Sequence, residues 1–374
     1  MSKGVSFKRL FSRALEAAPG RLHFAAHSHH LWPDASFAGH TAAWQDAALL
    51  ADHKWDRIFA EVIPEAQGHI AAELALPDPA TIAFAPNTHE LLVRVVSALP
   101  MDQPRVLASD GEFHSFRRQS QRWAEAGRIA LTTVPLNEVV TTSQGGGFDL
   151  IFVSQVQFNS GQALGDVAAL AALASPTGPW VVIDGYHGFM ATPTDLSAVA
   201  DRLFYTSGGY KYAMAGEGIC FLHAPPGYAP RPEITGWYAA FDSLTGAQDE
   251  VGYAPDGRRF LGSTFDPAAL YRFNAVQRML RSEGLTTAAI SAHCDARKAR
   301  FLGAGPVPQL KLISGPDARF LAMQGDTAGA LHHALTARQV ITDLRGDVLR
   351  IGFALYHDDG DVDALLGVLR EIEI

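Results

Sequence analysis

Short apolar runs alternate with stretches of helical spacing over the first two thirds of the chain. The apolar runs predict strands at 81–85, 105–108, 129–134, 150–156, 180–183, 203–206 and 218–223. Helical spacing predicts helices at 6–17, 87–99, 115–126 and 166–174, and further helical structure over 34–76. Strands that are apolar throughout and alternate with helices are typical of an α/β fold, in which helices cover both faces of a mainly parallel sheet.

The C-terminal third has a different pattern. A long helix at 267–282 precedes strands at 319–323 and 347–355 and helices at 327–337 and 361–371, which predict a small α+β domain. A polar, glycine-rich stretch at 242–263 is the expected connection. With 374 residues the chain exceeds one typical core. We therefore expect a large domain at 31–255 and a small domain formed by 1–30 and 256–374.

Composition narrows the classes of partner and compartment. The net charge of −9 argues against nucleic acid or an anionic membrane as partner. The chain has no uncharged apolar run of about 18 residues, so no transmembrane helix is expected, and the first ten residues give no sign of a signal peptide. Two cysteines, Cys220 and Cys294, form no disulfide framework, which suits a cytoplasmic protein.

One lysine stands out in a chain that otherwise uses arginine. Lys211 is the only lysine between Lys54 and Lys298. An amine can lose its proton and form a Schiff base with a carbonyl, whereas a guanidinium stays protonated. Asp184 ends the apolar run 180–183. A lysine for the Schiff base and an aspartate for the ring nitrogen are the minimal requirement of a pyridoxal phosphate (PLP) enzyme.

Other polar or aromatic residues fall at the predicted strand ends, where parallel sheets bind ligands. Thr88 and His89 open a predicted helix, so they either bind a phosphate at its N-terminus or belong to an ordinary N-cap. Phe113 could stack on a planar ring, and His187 could reach the cofactor or the substrate.

Two candidates lie outside the predicted parallel strands. The Trp237 indole could donate to a phosphate. The planar fork of Arg350 fits an α-carboxylate, although a surface ion pair is an equal alternative.

Taken in order over about 84–355, the chain resembles the class V aminotransferase branch of fold-type I PLP-dependent enzymes, and within it most closely kynureninase. Tyr210-Lys211-Tyr212, paired with Asp184-x-x-His187, carries most of the resemblance, and Gly236-Trp237 adds to it. The resemblance implies a PLP-binding large domain and an amino-acid substrate. It also implies a homodimer with shared active sites.

The resemblance also assigns roles to individual residues. The catalytic group would be Lys211, Asp184, His187 and Tyr210. Phe113 would stack on the pyridine ring, and Arg350 would bind the substrate carboxylate. Tyr210 and Trp237 would bind the phosphate, as would Thr264 from a second subunit.

The chain departs from kynureninase where that family recognises its aryl substrate. Ala26-His27-Ser28-His29-His30 stands in place of a Gly-Asn-Ser-Leu-Gly-like loop, which makes His27 and Ser28 the expected substrate contacts. The Pro-Pro signature is replaced by residues 262–267. Gly208 stands where class V relatives often have a phosphate-binding serine, and Gln155 and Gln157 replace two polar residues of the family's Ser-His-Val-Asn-Tyr stretch.

Several functions remain open at this point. A kynureninase-like hydrolysis and a transamination are about equally supported. A metal-dependent hydrolase could use His27, His29 and His30 with Asp184 and His187, because histidine is a good zinc ligand. A non-catalytic cofactor-binding module is a further possibility. Cysteine desulfurase activity is not expected, since it needs a cysteine in a mobile loop and Cys294 lies in a stretch that reads as helix.

Overall fold

The computed structural model describes residues 5–243 and 250–373. Part of the predicted connection, residues 244–249, lies outside the described residues. The strands are β1 (Leu22–His23), β2 (Ile82–Ala85), β3 (Arg105–Ser109), β4 (Ala130–Val134), β5 (Leu150–Ser154), β6 (Trp180–Asp184), β7 (Phe204–Gly208), β8 (Cys220–His223), β9 (Lys311–Leu312), β10 (Phe320–Gln324), β11 (Val340–Ile341), β12 (Asp343–Arg345) and β13 (Val348–Gly352).

The helices follow the predicted spacing, and a π-helical turn at Ile58–Val62 joins the third to the fourth. They are α1 (Ser12–Glu16), α2 (Asp34–Leu50), α3 (Lys54–Arg57), α4 (Ile63–Leu74), α5 (Thr88–Ser97), α6 (His114–Glu125), α7 (Val139–Gln144), α8 (Val167–Ala171), α9 (Ala268–Ser282), α10 (Thr287–Gly303), α11 (Ala328–Thr336) and α12 (Asp359–Arg370). None of them, among the described residues, is long and apolar enough to cross a bilayer.

Seven strands form the central sheet in the order β2-β8-β7-β6-β5-β3-β4. β8 runs antiparallel to both of its neighbours, and the other pairs are parallel. The carboxyl ends of β2, β3, β5, β6 and β7 therefore lie along one edge of the sheet. The mainly parallel α/β sheet predicted from the apolar runs is confirmed.

Alternate residues of one strand pack into different cores, which shows that both faces of the sheet are covered. In β6, Val181 and Ile183 join one hydrophobic cluster, whereas Trp180 and Val182 join the cluster on the other face. All four side chains are buried. This two-sided burial explains why the strand reads as a continuous apolar run.

A second, smaller sheet is antiparallel, in the order β12-β13-β10-β9. The N-terminal segment reaches this part of the molecule because β1 pairs with β11, and the Gly352 N–H donates to the Phe24 carbonyl. The predicted small α+β region and its link to the N-terminus are thus present, while the domain boundaries themselves stay predictions. β1, β9, β11 and β12 were not predicted, since strands of two or three residues are too short to show an alternation.

Candidate active site

A cavity of about 430 Å³ opens at the carboxyl edge of the central sheet. Most of the side chains that the sequence singled out line it: His27, Ser28, His29, Thr88, His89, Phe113, Asp184, His187, Tyr210, Lys211 and Arg350. They come from strand ends far apart in sequence, and the parallel topology brings them together. The arrangement agrees with the rule that open α/β sheets bind ligands at this edge.

Lys211 follows β7 and lies among aromatic side chains. Its Nζ is 2.8 Å from Nε2 of His187, and it lies 4.6 Å from the ring centre of Tyr186 and 5.5 Å from that of Tyr210. Burial lowers the pKa of the Lys211 amine to about 7, although Asp184 acts in the opposite direction. A substantial fraction of the amine is therefore unprotonated near neutral pH, as a nucleophile requires.

Asp184 is the last residue of β6 and is 4% exposed. Its Oδ1 accepts the Tyr186 N–H at 2.9 Å. Burial raises the pKa of the carboxyl to about 6. An ionised carboxylate in this position needs a cationic or hydrogen-bonding partner. The protonated ring nitrogen of PLP is a group of that kind, so the site fits the cofactor at this point.

His187 presents one ring nitrogen to Lys211 and leaves the other without a partner. Its Nδ1 is buried and has no hydrogen bond. The ring lies 5.6 Å from that of Phe320 and 6.1 Å from that of Tyr212. Burial holds the pKa of His187 well below its ordinary value, so the imidazole is neutral. A neutral imidazole against the Lys211 amine can accept or return a proton.

The N-terminus of α5 faces the same cavity. Asn87 caps the helix by accepting the Glu90 N–H at 3.0 Å, so the ordinary N-cap exists. Thr88 is buried at the first turn, and Nδ1 of His89 is buried without a partner. A ten-residue helix that starts here, with an unsatisfied imidazole nitrogen beside it, suits an anionic group such as a phosphate.

Arg350 lies in β13 and is only 2% exposed. Its Nε donates to Oδ2 of Asp343 at 2.7 Å, its Nη2 contacts the same oxygen, and its Nη1 donates to the Phe158 carbonyl. The alternative of a surface ion pair is wrong, because the pair is buried. Arg350 is also not a free fork, since Asp343 already occupies one edge of the guanidinium.

The histidine-rich loop divides between the cavity and the interior. His27 is fully buried and stacks on Phe320 at 4.7 Å, with neither ring nitrogen hydrogen-bonded. His29 stacks on Tyr210 at 5.1 Å near the rim. His30 faces away, with its Nδ1 2.7 Å from the Leu31 carbonyl.

This division bears on the metal-dependent alternative. In the described ranges no group of three or more histidine, cysteine, aspartate or glutamate side chains is arranged to hold a metal ion. The proposed zinc cluster of the loop therefore has no support from the geometry.

Two predicted phosphate ligands lie away from the cavity. Trp237 is 44% exposed and packs against Tyr238 at 4.1 Å. Thr264 is exposed and hydrogen-bonds to Tyr238. Neither lines the cavity of its own chain. The expected reach of Thr264 into a second subunit, and the phosphate role of Trp237, stay predictions.

Sequence reasoning missed a buried carboxyl directly beneath the site. Glu112 is 0% exposed and accepts hydrogen bonds from Ser109 Oγ at 2.5 Å and from the Ser154 N–H at 3.0 Å. Burial raises its pKa to about 7. Its position one residue before Phe113 and just beyond a strand end was the available signal.

Tyr186 and Cys220, which line the cavity, were also missed. The Tyr186 hydroxyl lies 3.4 Å from the Cys220 sulfur. A Cβ at position 208 would collide with both groups. The glycine at this position is therefore required by the tyrosine and the thiol, and a serine would not fit without displacing them.

Comparisons with known proteins agree with this arrangement. No family model matches the chain. Isopenicillin N epimerase of Streptomyces clavuligerus is 30% identical over 204 residues, which span 50% of this chain and 51% of that protein. The chain thus matches about half the length of this relative. Isopenicillin N epimerase of Amycolatopsis lactamdurans is 25% identical over 348 residues, 79% of this chain and 81% of that protein.

Solved structures share the whole fold at low identity. A complex of the cystine C–S lyase C-DES with its product cysteine persulfide has a TM-score of 0.82 at 19% identity, covering 96% of this chain and 100% of that chain. A C-DES variant with glycine covalently linked to its PLP cofactor has a TM-score of 0.83 at 18% identity, covering 99% and 100%. The apo cysteine desulfurase of Thermococcus onnurineus has a TM-score of 0.80 at 16% identity, covering 99% of both chains.

The structures define the architecture. The chain has the fold of the fold-type I PLP-dependent enzymes, and its relatives and structural neighbours place that fold in the class V branch. The fold class expected from the sequence is confirmed. The narrower resemblance to kynureninase stays a prediction, because these relatives and neighbours are epimerases, a lyase and a desulfurase.

Proposed function

We propose that the protein is a PLP-dependent enzyme that acts on an α-amino acid, with Lys211 as the cofactor lysine. One observation carries the proposal. A lysine amine with its pKa lowered to about 7 lies in a cavity at the carboxyl edge of the sheet, within 2.8 Å of a neutral imidazole. Burial that leaves an amine reactive in a cleft is a physical signature of a functional site.

The residues present fit the parts of the cofactor. The start of α5, with Thr88 and His89, would hold the phosphate, and Phe113 would contact the ring. Asp184 would hold a proton on the ring nitrogen. Bound PLP supplies an electron sink that stabilises negative charge at the α-carbon of an amino acid. The neighbouring C-DES enzyme is described with PLP, which supports this assignment.

The remaining residues would handle the substrate. Arg350 lies at the wall of the cavity and would attract the α-carboxylate. Lys211 and His187 are close enough to exchange a proton, so the pair would remove or return the α-proton. Ser28 and Tyr210 line the same cavity and would contact the substrate or the phosphate.

The proposal stops at the stage that PLP reactions of amino acids share. Hydrolysis and transamination both begin with loss of the α-proton, and so does epimerisation, which the relatives' name suggests. Desulfurase activity that depends on Cys294 is disfavoured, because Cys294 lies in α10 and is fully buried. A homodimer is proposed from the family resemblance, with Thr264 reaching the second site.

Absorbance spectroscopy tests the proposal. Purified protein incubated with PLP should show a visible band, and borohydride should abolish it and leave a stable mass increase on the peptide that contains Lys211. Isolation of a protein that binds no PLP, or one that is modified only at another lysine such as Lys311, would contradict the proposal.

A further inference from the structure

His27 is the most unusual polar group of the cavity wall. It is fully buried, and both of its ring nitrogens are buried without a hydrogen-bond partner. Unsatisfied buried polar atoms are costly and uncommon, and an imidazole with both nitrogens unpaired is a strong instance. Because His27 borders the cavity, a bound molecule is the group that can satisfy it.

The packing of His27 indicates which nitrogen is available. A Cβ at position 352 would collide with Nδ1, so this edge of the ring lies directly against the backbone of Gly352. No ligand atom fits there. Nε2 lies on the other edge of the ring and is the nitrogen that can meet a ligand.

The protonation state follows from the surroundings. Burial, together with the positive charges of Arg350 and Lys211, holds the pKa of His27 well below its ordinary value. The ring is therefore neutral and carries one proton. On Nδ1 that proton would point at a backbone carbon, so we assign it to Nε2, which makes Nε2 a hydrogen-bond donor.

Arg350 lacks some of the donors that a substrate carboxylate needs. Three of its N–H groups are already engaged by Asp343 and the Phe158 carbonyl. The adjacent Gln157 is unavailable, because it donates to Ser109 and accepts from Ser160. A carboxylate has room for about four hydrogen bonds, so it requires a donor besides Arg350.

His27 and Arg350 are adjacent through one aromatic ring. The imidazole of His27 stacks on Phe320 at 4.7 Å, and the guanidinium of Arg350 lies 5.5 Å from the centre of the same ring. We propose that Nε2–H of His27 donates a hydrogen bond to the α-carboxylate of the substrate, beside Arg350. This inference rests on the proposed function and specifies how that site selects α-amino acids over simple amines.

Matched substitutions distinguish the two ring nitrogens. In His27→Gln the amide nitrogen lies close to the position of Nε2, whereas in His27→Asn it lies close to that of Nδ1. His27→Phe keeps a flat ring and removes both donors. The probes are glycine, which has the carboxylate, and methylamine, which lacks it. Their Kd values are read from the shift of the visible band in the PLP-loaded protein.

We expect His27→Phe and His27→Asn to weaken glycine binding roughly tenfold to hundredfold, the range for a hydrogen bond to a charged group. His27→Gln should stay within about threefold, and methylamine binding should not change in any variant. Unchanged glycine affinity in all three variants, equal losses for glycine and methylamine, or equal behaviour of Gln and Asn would each overturn the role of His27. Absence of a visible band in the unsubstituted protein would instead refute the proposed function, and the inference with it.

Discussion

Nζ of Lys211 lies 2.8 Å from Nε2 of His187, at the ends of the adjacent strands β7 and β6. Burial lowers the pKa of both groups, so the pair carries less positive charge than two exposed bases would. One hydrogen bond joins them, which requires a proton on one partner and a lone pair on the other. The pair therefore suits transfer of a single proton within the cavity.

Replacing Lys211 with alanine should abolish the borohydride-sensitive visible band and reduce turnover at least about a thousandfold, because the group that would form the Schiff base is lost. Lys311→Ala is the control, since Lys311 is exposed in β9. Spectra and steady-state rates on both variants provide the measurement. Normal activity in Lys211→Ala would remove Lys211 from the mechanism.

Replacing Asp184 with asparagine should leave PLP bound and lower kcat roughly a hundredfold, because a neutral amide does not hold a proton on the ring nitrogen. Asp195→Asn serves as a control, since Asp195 is exposed and does not line the cavity. Cofactor content and kcat are measured together. Wild-type rates with full cofactor occupancy would show that Asp184 has no catalytic part.

Most of the fold and the centre of the site follow from the sequence, for a physical reason. Buried parallel strands need continuous apolar runs, and chemistry collects at their ends, so Lys211 and Asp184 were recognisable as a pair. The partners of Arg350 were not, because its contact with Asp343 depends on the register of β12 against β13. The burial of Glu112 likewise depends on two strands meeting around it.

Glu112 should make stability depend on pH. Its pKa is raised to about 7 from an ordinary value of 4.5, so the folded protein binds more protons than the unfolded chain between these values. Stability contributed by the protonated carboxyl is fully present below pH 4.5 and is lost as the pH rises through about 7. The loss amounts to about 3 kcal/mol. Asp184, with its pKa raised to about 6, acts in the same direction.

Glu112→Gln should therefore lose less stability than the unsubstituted protein between pH 5 and pH 8. Thermal unfolding of both proteins at the two pH values measures the difference. Glu125→Gln, at an exposed position, controls for the change in net charge. A parallel pH dependence in the unsubstituted protein and Glu112→Gln would show that the carboxyl does not titrate as described.

The protein should sediment as a homodimer, and Thr264→Ala should weaken PLP binding about tenfold, the effect of losing one hydrogen bond to a charged group. The motive is that Thr264 is exposed and does not line its own cavity, while the family resemblance directs it to the partner's phosphate. Ser263→Ala is the neighbouring control. A fully active monomer at working concentration would contradict the shared site.

Substrate preference should follow the polarity of the outer cavity. Ser28, His29 and Arg345 line it, and these groups offer hydrogen bonds and positive charge rather than an apolar wall for an aniline ring. We therefore expect a smaller polar or acidic amino acid, such as serine or aspartate, to be turned over faster than kynurenine. His29→Asn should raise KM about threefold or more with little change in kcat, because the lost contact exists in the ground and transition states alike. His53→Asn, at a site exposed to solvent, is the control. Steady-state kinetics on kynurenine, serine, aspartate and alanine decide the matter, and kynurenine as the best substrate would restore the kynureninase assignment.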